Sequence, residues 1–261
     1  MIPLKERAEI ILRELEKNGS VRVTDMSKIM GCSEVTIRSD ITKLDQQRLL
    51  KKTYGGAVKC AEFLEINLEQ GEMYLNREKK IAIAERAYTY IENREAILIE
   101  SSTTGYYLAR CICEHPEKRV IVVTNSIVIA ALLFKAKHVE LFVVGGNVMG
   151  TLPSTLDNMA VQFLEQFHID KAFVGVNGIN LSTGLTATGM PQMEMKKKII
   201  EISRKTYVLA DSSKFEKGKL FTVCPMSSID MIITDSDVSQ EMLDQVKELG
   251  VQMEVVKNKM E

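Results

Sequence analysis

Apolar residues fall at helical spacing near the start of the chain and in short β-branched runs through most of the rest. Ile37, Ile41 and Leu44 recur at i, i+4 and i+7, which puts them on one side of a helix. Ser33 precedes that helix and suits an N-cap, because its hydroxyl can accept an orphan N–H of the first turn. Upstream, Ile10, Ile11, Leu12 and Leu15 predict a helix over about 3–17, closed by Asn18-Gly19. Val21-Arg22-Val23 alternates as a short strand. Thr24 is the expected cap of a second helix over 25–30, ending at Gly31. Residues 49–58 read as two short strands around a turn. Helix, strand, helix, turn, helix, hairpin is the order of a winged helix-turn-helix.

Residues 62–69 are mixed and acidic without a clean period, and read as an irregular linker. A further helix is expected from about 72, with Ile81, Ala84, Tyr88 and Ile91 on one face; Lys79-Lys80 reads as a solvated face. Strands are then expected at 96–100, 120–124, 139–145, 171–176, 206–211, 231–234 and 251–256. Helices are expected near 104–113, 127–135, 155–167, 191–203 and 240–249. Continuous Val/Ile runs separated by helices predict an α/β body whose mostly parallel sheet is covered on both faces. The expected division is a head over 1–58, a linker over 59–75 and a body over 76–261.

Charge separates these parts. The chain has 261 residues and a net charge of −1, yet residues 1–60 hold 12 Lys and Arg against 8 Asp and Glu, leaving 22 against 27 for the remainder. A basic head on an acidic body favours a small nucleic-acid module attached to something else. The 45% hydrophobic and 26% charged shares are ordinary for a soluble globular protein. The start turns charged at once, and no apolar run approaches the roughly 18–20 residues of a membrane span. Five cysteines, without Cys-x-x-Cys spacing, point to free thiols in a reducing cytoplasm and to no metal site.

The face opposite Ile37 and Ile41 carries Thr36, Arg38, Ser39 and Lys43, the hydroxyl and cationic types that reach phosphates and base edges in a major groove. With Ser33, and with Lys51, Lys52 and Tyr54 of the hairpin, they are the candidate contacts to double-stranded DNA. Taken alone, the stretch fits an ordinary amphipathic surface helix equally well. Asp40 cannot favourably face a phosphate and reads as a salt-bridge partner within the head.

In an open parallel sheet, ligands sit beyond the carboxyl ends of the strands. The first strand leads into Glu100-Ser101-Ser102-Thr103-Thr104-Gly105 and a helix, whose hydroxyls and free N–H groups make an anion site. It lacks the Gly-Lys-Ser/Thr of a nucleoside-triphosphate loop. The next strands end in Thr124-Asn125, Gly145-Gly146, Asn177 and Asp211 with Lys214. Converging at one edge, these would form a pocket for a polyol phosphate, with Lys214 meeting the phosphate and Asn177 and Asp211 the hydroxyls.

Residues 1–60 resemble the DNA-binding head of the DeoR family of bacterial repressors. The resemblance rests on Arg7, Ile11, Leu15, Val21, Val23, Ser33-Glu34-Val35-Thr36-Ile37-Arg38, Asp40-Ile41, Leu44 and Gly55-Gly56-Ala57. The body resembles that family's effector domain through Thr103-Thr104, Thr124-Asn125-Ser126, Gly145-Gly146, 170–175, Gly184-Leu185-Thr186 and 209–215. The resemblance implies a repressor of a carbohydrate operon, tuned by a phosphorylated sugar. A small head needs paired half-sites, so at least a dimer is expected, a dimer or a tetramer, with no cofactor and no membrane partner. It also implies a body similar to ribose-5-phosphate isomerase and CoA-transferase-like folds. Three departures stand out. Ser39 replaces a second Arg, Arg48 replaces a Gly before the wing, and Glu100-Ser101-Ser102-Thr103-Thr104 replaces Asp-Ser-Gly-Thr-Thr. The rival reading is an isomerase-like enzyme. Against it, Val174 and Asn177 stand where the isomerase has two aspartates; neither Val nor Asn is a carboxylate base. Glu194 could align with the isomerase's catalytic glutamate, but reads as a surface residue. No catalytic residue is assigned.

Overall fold

A computed structural model describes residues 4–46, 49–58, 73 and 75–257. Its contacts divide the chain into two compact units, Met1–Tyr74 and Leu75–Glu261. Arg48, Cys60 and most of the expected linker lie outside the described residues.

In the first unit, α1 (Leu4–Asn18), β1 (Ser20–Arg22), α2 (Val23–Met30), α3 (Glu34–Gln46), β2 (Lys51–Thr53) and β3 (Gly56–Val58) follow in the expected order. Ile11, Leu15, Val23, Met26, Ile37, Ile41 and Leu44 are all buried in one core. Gly31 closes α2 at φ +62, a left-handed cap that glycine adopts at little cost, and so sets the turn into α3. Thr24 does not cap α2. The helix starts at Val23, because Arg22 carries the extended cap position, and Thr24 falls inside it. β1, β3 and β2 form an antiparallel sheet in that order, with Tyr54 and Gly55 at the hairpin tip. Asp40 is buried and takes the Arg7 guanidinium at 2.6 and 3.0 Å, tying α3 to α1.

The second unit opens with α4 (Arg77–Thr89). Then come β4 (Ala96–Ile99), α5 (Thr103–Glu114), β5 (Val120–Thr124), α6 (Ile127–Leu133), β6 (Val139–Val143) and a β7–β8 hairpin (Val148–Met149, Ser154–Thr155). They are followed by α7 (Asn158–Leu164), β9 (Ile169–Gly175), β10 (Gly178–Asn180), β11 (Gly184–Ala187), α8 (Met190–Glu201) and β12 (Ser203–Leu209). The last are β13 (Phe221–Cys224), β14 (Met231–Asp235), α9 (Gln240–Glu248) and β15 (Gln252–Val256). Seven parallel strands make one sheet in the order β15-β14-β12-β9-β4-β5-β6. From β4 the chain builds outward through β5 and β6, then returns to β9 and builds the other way. The switch point therefore lies between β4 and β9, where the crevice beyond the strand ends opens.

Strand parity decides which helix each side chain meets. Leu98, Ala172 and Val174 join Ala160 and Leu164 of α7 and Met195 and Ile199 of α8. Phe173, of opposite parity, stacks on Tyr207, which meets Tyr90 just after α4. In α4 the buried positions include Lys80, Ile83, Ala84, Ala87 and Tyr88. The solvated reading of Lys79-Lys80 is therefore overturned: Lys80 is 3% exposed, and Lys79 pairs with Asp235 at the end of β14 and Asp237 just beyond it. A helix laid across a parallel sheet brings such cations to the carboxylates at the strand ends.

Cys32, Cys111, Cys113 and Cys224 are free thiols. Burial pushes Cys111 and Cys224 up to about 11 from an ordinary value near 9. Their thiolate fraction at pH 8 should fall about a hundredfold, and with it their alkylation rate. Iodoacetamide labelling followed by peptide mass mapping checks this; labelling of either at the rate of a free cysteine contradicts it.

Candidate functional site

Two surfaces carry chemistry, one in each unit. In the first, the Ser33 hydroxyl caps α3, accepting from the Thr36 N–H at 3.2 Å and sharing a hydrogen bond with the Thr36 hydroxyl at 2.9 Å. Arg38, Ser39 and Lys43 are exposed, and Thr36 is half-buried. The Arg38 guanidinium is held by Glu34 at 3.0 Å, one turn back, in an exposed pair. Lys52 donates to the Thr42 hydroxyl at 3.0 Å, and its N–H to Asp45 at 3.0 Å, so the wing is fastened to α3. Lys51 lies 3.9 Å from Asp45, and Tyr54 stands fully exposed at the wing tip. Val35, 77% exposed in the first turn of α3, was not singled out by sequence. Its signal was available: an apolar residue off the Ile37–Ile41–Leu44 stripe, beside Thr36.

In the second unit, four neighbouring strand ends meet at the switch point. Glu100 continues the β4 ladder, its N–H donating to the Phe173 carbonyl. It keeps the parity of Leu98, so its side chain turns to α8. There its carboxylate meets Lys196 at 2.5 Å and accepts from the Gly175 N–H at 3.2 Å. Both side chains are almost fully buried, and Lys196 also donates to the Gly175 carbonyl at 2.7 Å. Burial pushes the Glu100 carboxyl up, against the pull of Lys196 and the Gly175 N–H. Lys196 was missed by sequence reading because it sits in a run of three lysines; the signal was its place beside Met195, one turn from Ile199.

The remaining groups line the same edge. The Ser101 N–H donates to Asn125 at 3.0 Å, and the Asn125 amide reaches on to the Thr155 carbonyl at 3.2 Å. The Thr124 hydroxyl bonds the Ile99 carbonyl. Ser102 caps α5, accepting from the Gly105 N–H at 3.0 Å. Thr103 and Thr104 open that helix. The Ser101 hydroxyl oxygen is buried and finds no partner among the described residues. Gly175 lies against Ser102; a Cβ there would collide with the Ser102 side chain, so only glycine lets β4 and β9 close to this degree. Asn177 follows β9 half-buried. Asp211 is taken up by Asn76 at 3.1 Å and by both the N–H and the hydroxyl of Ser213. Lys214 ends the same short turn half-buried. Gly145 and Gly146 are exposed beyond edge strand β6, two strands from the switch point. Glu194 is exposed on α8.

Residues 7–63 match the DeoR-like helix-turn-helix domain, and residues 75–236 match the DeoR C terminal sensor domain. The chain belongs to the DeoR family. This DeoR-family chain is 32% identical over 254 residues to a putative aga operon transcriptional repressor of Escherichia coli O157:H7, covering 96% of this chain and 93% of that protein. It is 26% identical to the transcriptional repressor GlcR of Bacillus subtilis (strain 168), over 95% of both chains. It is 28% identical to the L-fucose operon activator of Haemophilus influenzae, over 88% of this chain and 91% of that one. With both domains matched, the DeoR-family chain is a DNA-binding transcriptional regulator. Among solved structures, ribose 5-phosphate isomerase A of Methanocaldococcus jannaschii is similar over 54% of this chain and 55% of that one, at 18% identity and a TM-score of 0.41. Among the described residues, no helix is long and apolar enough to cross a membrane.

Proposed function

We propose that this regulator represses a carbohydrate operon and responds to a phosphorylated sugar held at the strand ends around the β4–β9 switch point. The observation that carries this reading is the balance of groups at that edge. Both carboxylates nearest the switch point are spent, Glu100 on Lys196 and Asp211 on Asn76 and Ser213. What remains toward a ligand is the N-terminus of α5, the Ser101 and Thr103 hydroxyls, Asn177 and the Lys214 ammonium; Ser102 is taken up in capping that helix. Such a donor-rich, cationic edge suits an anionic polyol. Glu100, Thr124, Asn125 and Asp211 hold the floor on which those groups stand. Gly145 and Gly146 border the edge.

In the head, Arg38, Ser39, Lys43 and Val35 face the major groove, with Ser33 and Thr36 at the helix start. Lys51, Lys52 and Tyr54 meet the backbone. Val35 adds an apolar contact suited to a thymine methyl. A single small head reads one half-site, so the operator-bound unit is at least a dimer. The relatives' names, which include a putative aga operon repressor and an L-fucose operon activator, support a carbohydrate effector. An isomerase role has less support: Val174 and Asn177 stand in the places of the isomerase's two aspartates, and Glu194 faces solvent.

The test is a thermal-shift panel of sugar phosphates, followed by operator binding with each hit. Lys214→Ala should keep its operator affinity and lose at least about tenfold in affinity for the hit, the size expected for one charge-assisted phosphate contact. An undiminished response in that variant removes Lys214 from the phosphate site. Sugar-phosphate isomerisation at an enzymatic rate would favour the rival reading.

A further inference from the structure

The first turn of α4 is stitched to two strand ends at the effector edge. Asn76, its cap, sits at φ +57, a left-handed conformation uncommon for any residue but glycine. From there its side-chain amide donates to Asp211 at 3.1 Å and to the Ser213 hydroxyl at 3.4 Å. One turn on, the Lys79 ammonium meets the Ser212 hydroxyl at 2.9 Å, Asp235 at 3.1 Å and Asp237 at 2.5 Å. Asp235, fully buried, also accepts from the Ser212 N–H at 2.7 Å and the Asp237 N–H at 3.0 Å. Burial works against its charge, but these donors and Lys79 outweigh that and hold the carboxyl below its usual range. Every residue from Asp211 to Ser213 is thus joined to α4, directly or through Asp235, and the next residue is Lys214.

The far end of α4 is fixed as well. Arg86 and Tyr90 both bond Glu254 of β15, at 2.9 and 2.8 Å. A helix anchored at its far end and laced to the 211–214 turn at its start cannot let that turn shift alone. α4 is also the first element after residues 59–74, the segment that leads from the head.

We propose that Asn76 and Lys79 are positioning residues that make the Asp211–Lys214 turn and the start of α4 move as one, so that a phosphorylated sugar at Lys214 is reported to the chain leading to the head. The proposal rests on the sugar-phosphate reading of the edge. Coupling of this kind needs a ligand that binds one state of the turn better than the other. Lys214 supplies that difference, since its ammonium is carried by the turn itself.

The test uses the full chain with three variants. Lys79→Met removes the ammonium, Asn76→Gly removes the amide but keeps the left-handed backbone, and Lys79→Arg keeps the charge. Hydrogen–deuterium exchange should quicken about tenfold at the Ser212 and Ser213 amides in the first two and stay near wild type in the third. Reciprocally, Ser212→Ala with Ser213→Ala should quicken exchange at the Lys80 amide, which bonds Asn76 in the first turn of α4. Operator affinity, on a duplex selected from a random pool, is then measured with and without glucose 6-phosphate, fructose 1-phosphate and inorganic phosphate. A probe that shifts wild-type affinity about fivefold or more should still stabilise Lys79→Met and Asn76→Gly, yet leave their operator affinity nearly unmoved. Lys79→Arg should recover the response. Unchanged exchange at Ser212 and Ser213, or a full response in both variants, overturns the proposal. If no probe moves even the wild type, the sugar-phosphate reading fails, and the reciprocal exchange alone sustains or overturns the coupling.

Discussion

Lys196→Ala should destabilise the body by about 3–5 kcal/mol, because it leaves the Glu100 carboxylate buried without its counter-charge. In a unit of this size that corresponds to a fall in Tm of roughly 6–20 °C. The loss should depend on pH in a particular direction. Without the ammonium, a buried carboxyl holds its proton to higher pH than it does in the unfolded chain. The folded variant then binds more protons than the unfolded one, so its stability falls as pH rises above the ordinary carboxylate range and recovers as pH is lowered back toward it. Differential scanning calorimetry of the variant at several pH values measures both effects. Pairing Lys196→Met with Glu100→Gln should restore much of the loss, since neither charge is then left alone. A loss under about 1 kcal/mol for Lys196→Ala would show that the pair is not the fastening the geometry describes.

Arg38→Ala should weaken operator binding by about 1–3 kcal/mol, roughly 5–150-fold, and relax discrimination at the bases it reads. Glu34 gives this prediction a second arm. In the free protein its carboxylate holds Arg38 at 3.0 Å on an exposed face. Near DNA the same carboxylate repels phosphate and competes for the guanidinium. Glu34→Gln should therefore tighten binding and steepen its salt dependence. Electrophoretic mobility shifts across a range of salt concentrations measure both variants. Wild-type affinity for Arg38→Ala would exclude α3 as the reading helix.

The strands of the body were legible because a parallel sheet buried on both faces writes itself as Val/Ile runs. Residues 120–124 coincide with β5, and the other six expected strands overlap β4, β6, β9, β12, β14 and β15. The small antiparallel sheet of β10, β11 and β13 was not read, since its strands are three or four residues long and two of them open on glycine. The helix-turn-helix was legible through the Ile37–Ile41–Leu44 stripe and the Ser33 cap. At the strand-end edge around the switch point, sequence could nominate polar residues after each strand but could not say which were already engaged. Glu100 and Asp211 both looked available; their partners, Lys196 and Asn76, are far off in sequence. Lys79 and Lys80 misled for the same reason. Charge runs read as solvated until a packed neighbour is seen.

The pairing of β4 with β9 sets Ile97 opposite Lys171, with four strands and three helices lying between them along the chain. During synthesis the head, whose core draws only on its own residues, can fold as soon as it leaves the ribosome. The crevice that would receive a sugar exists only once β9 has docked beside β4, long after the reading helix is complete. A message cut short between these points would thus yield a chain with a folded head, equipped on the proposed reading for one half-site, but lacking a complete sensor.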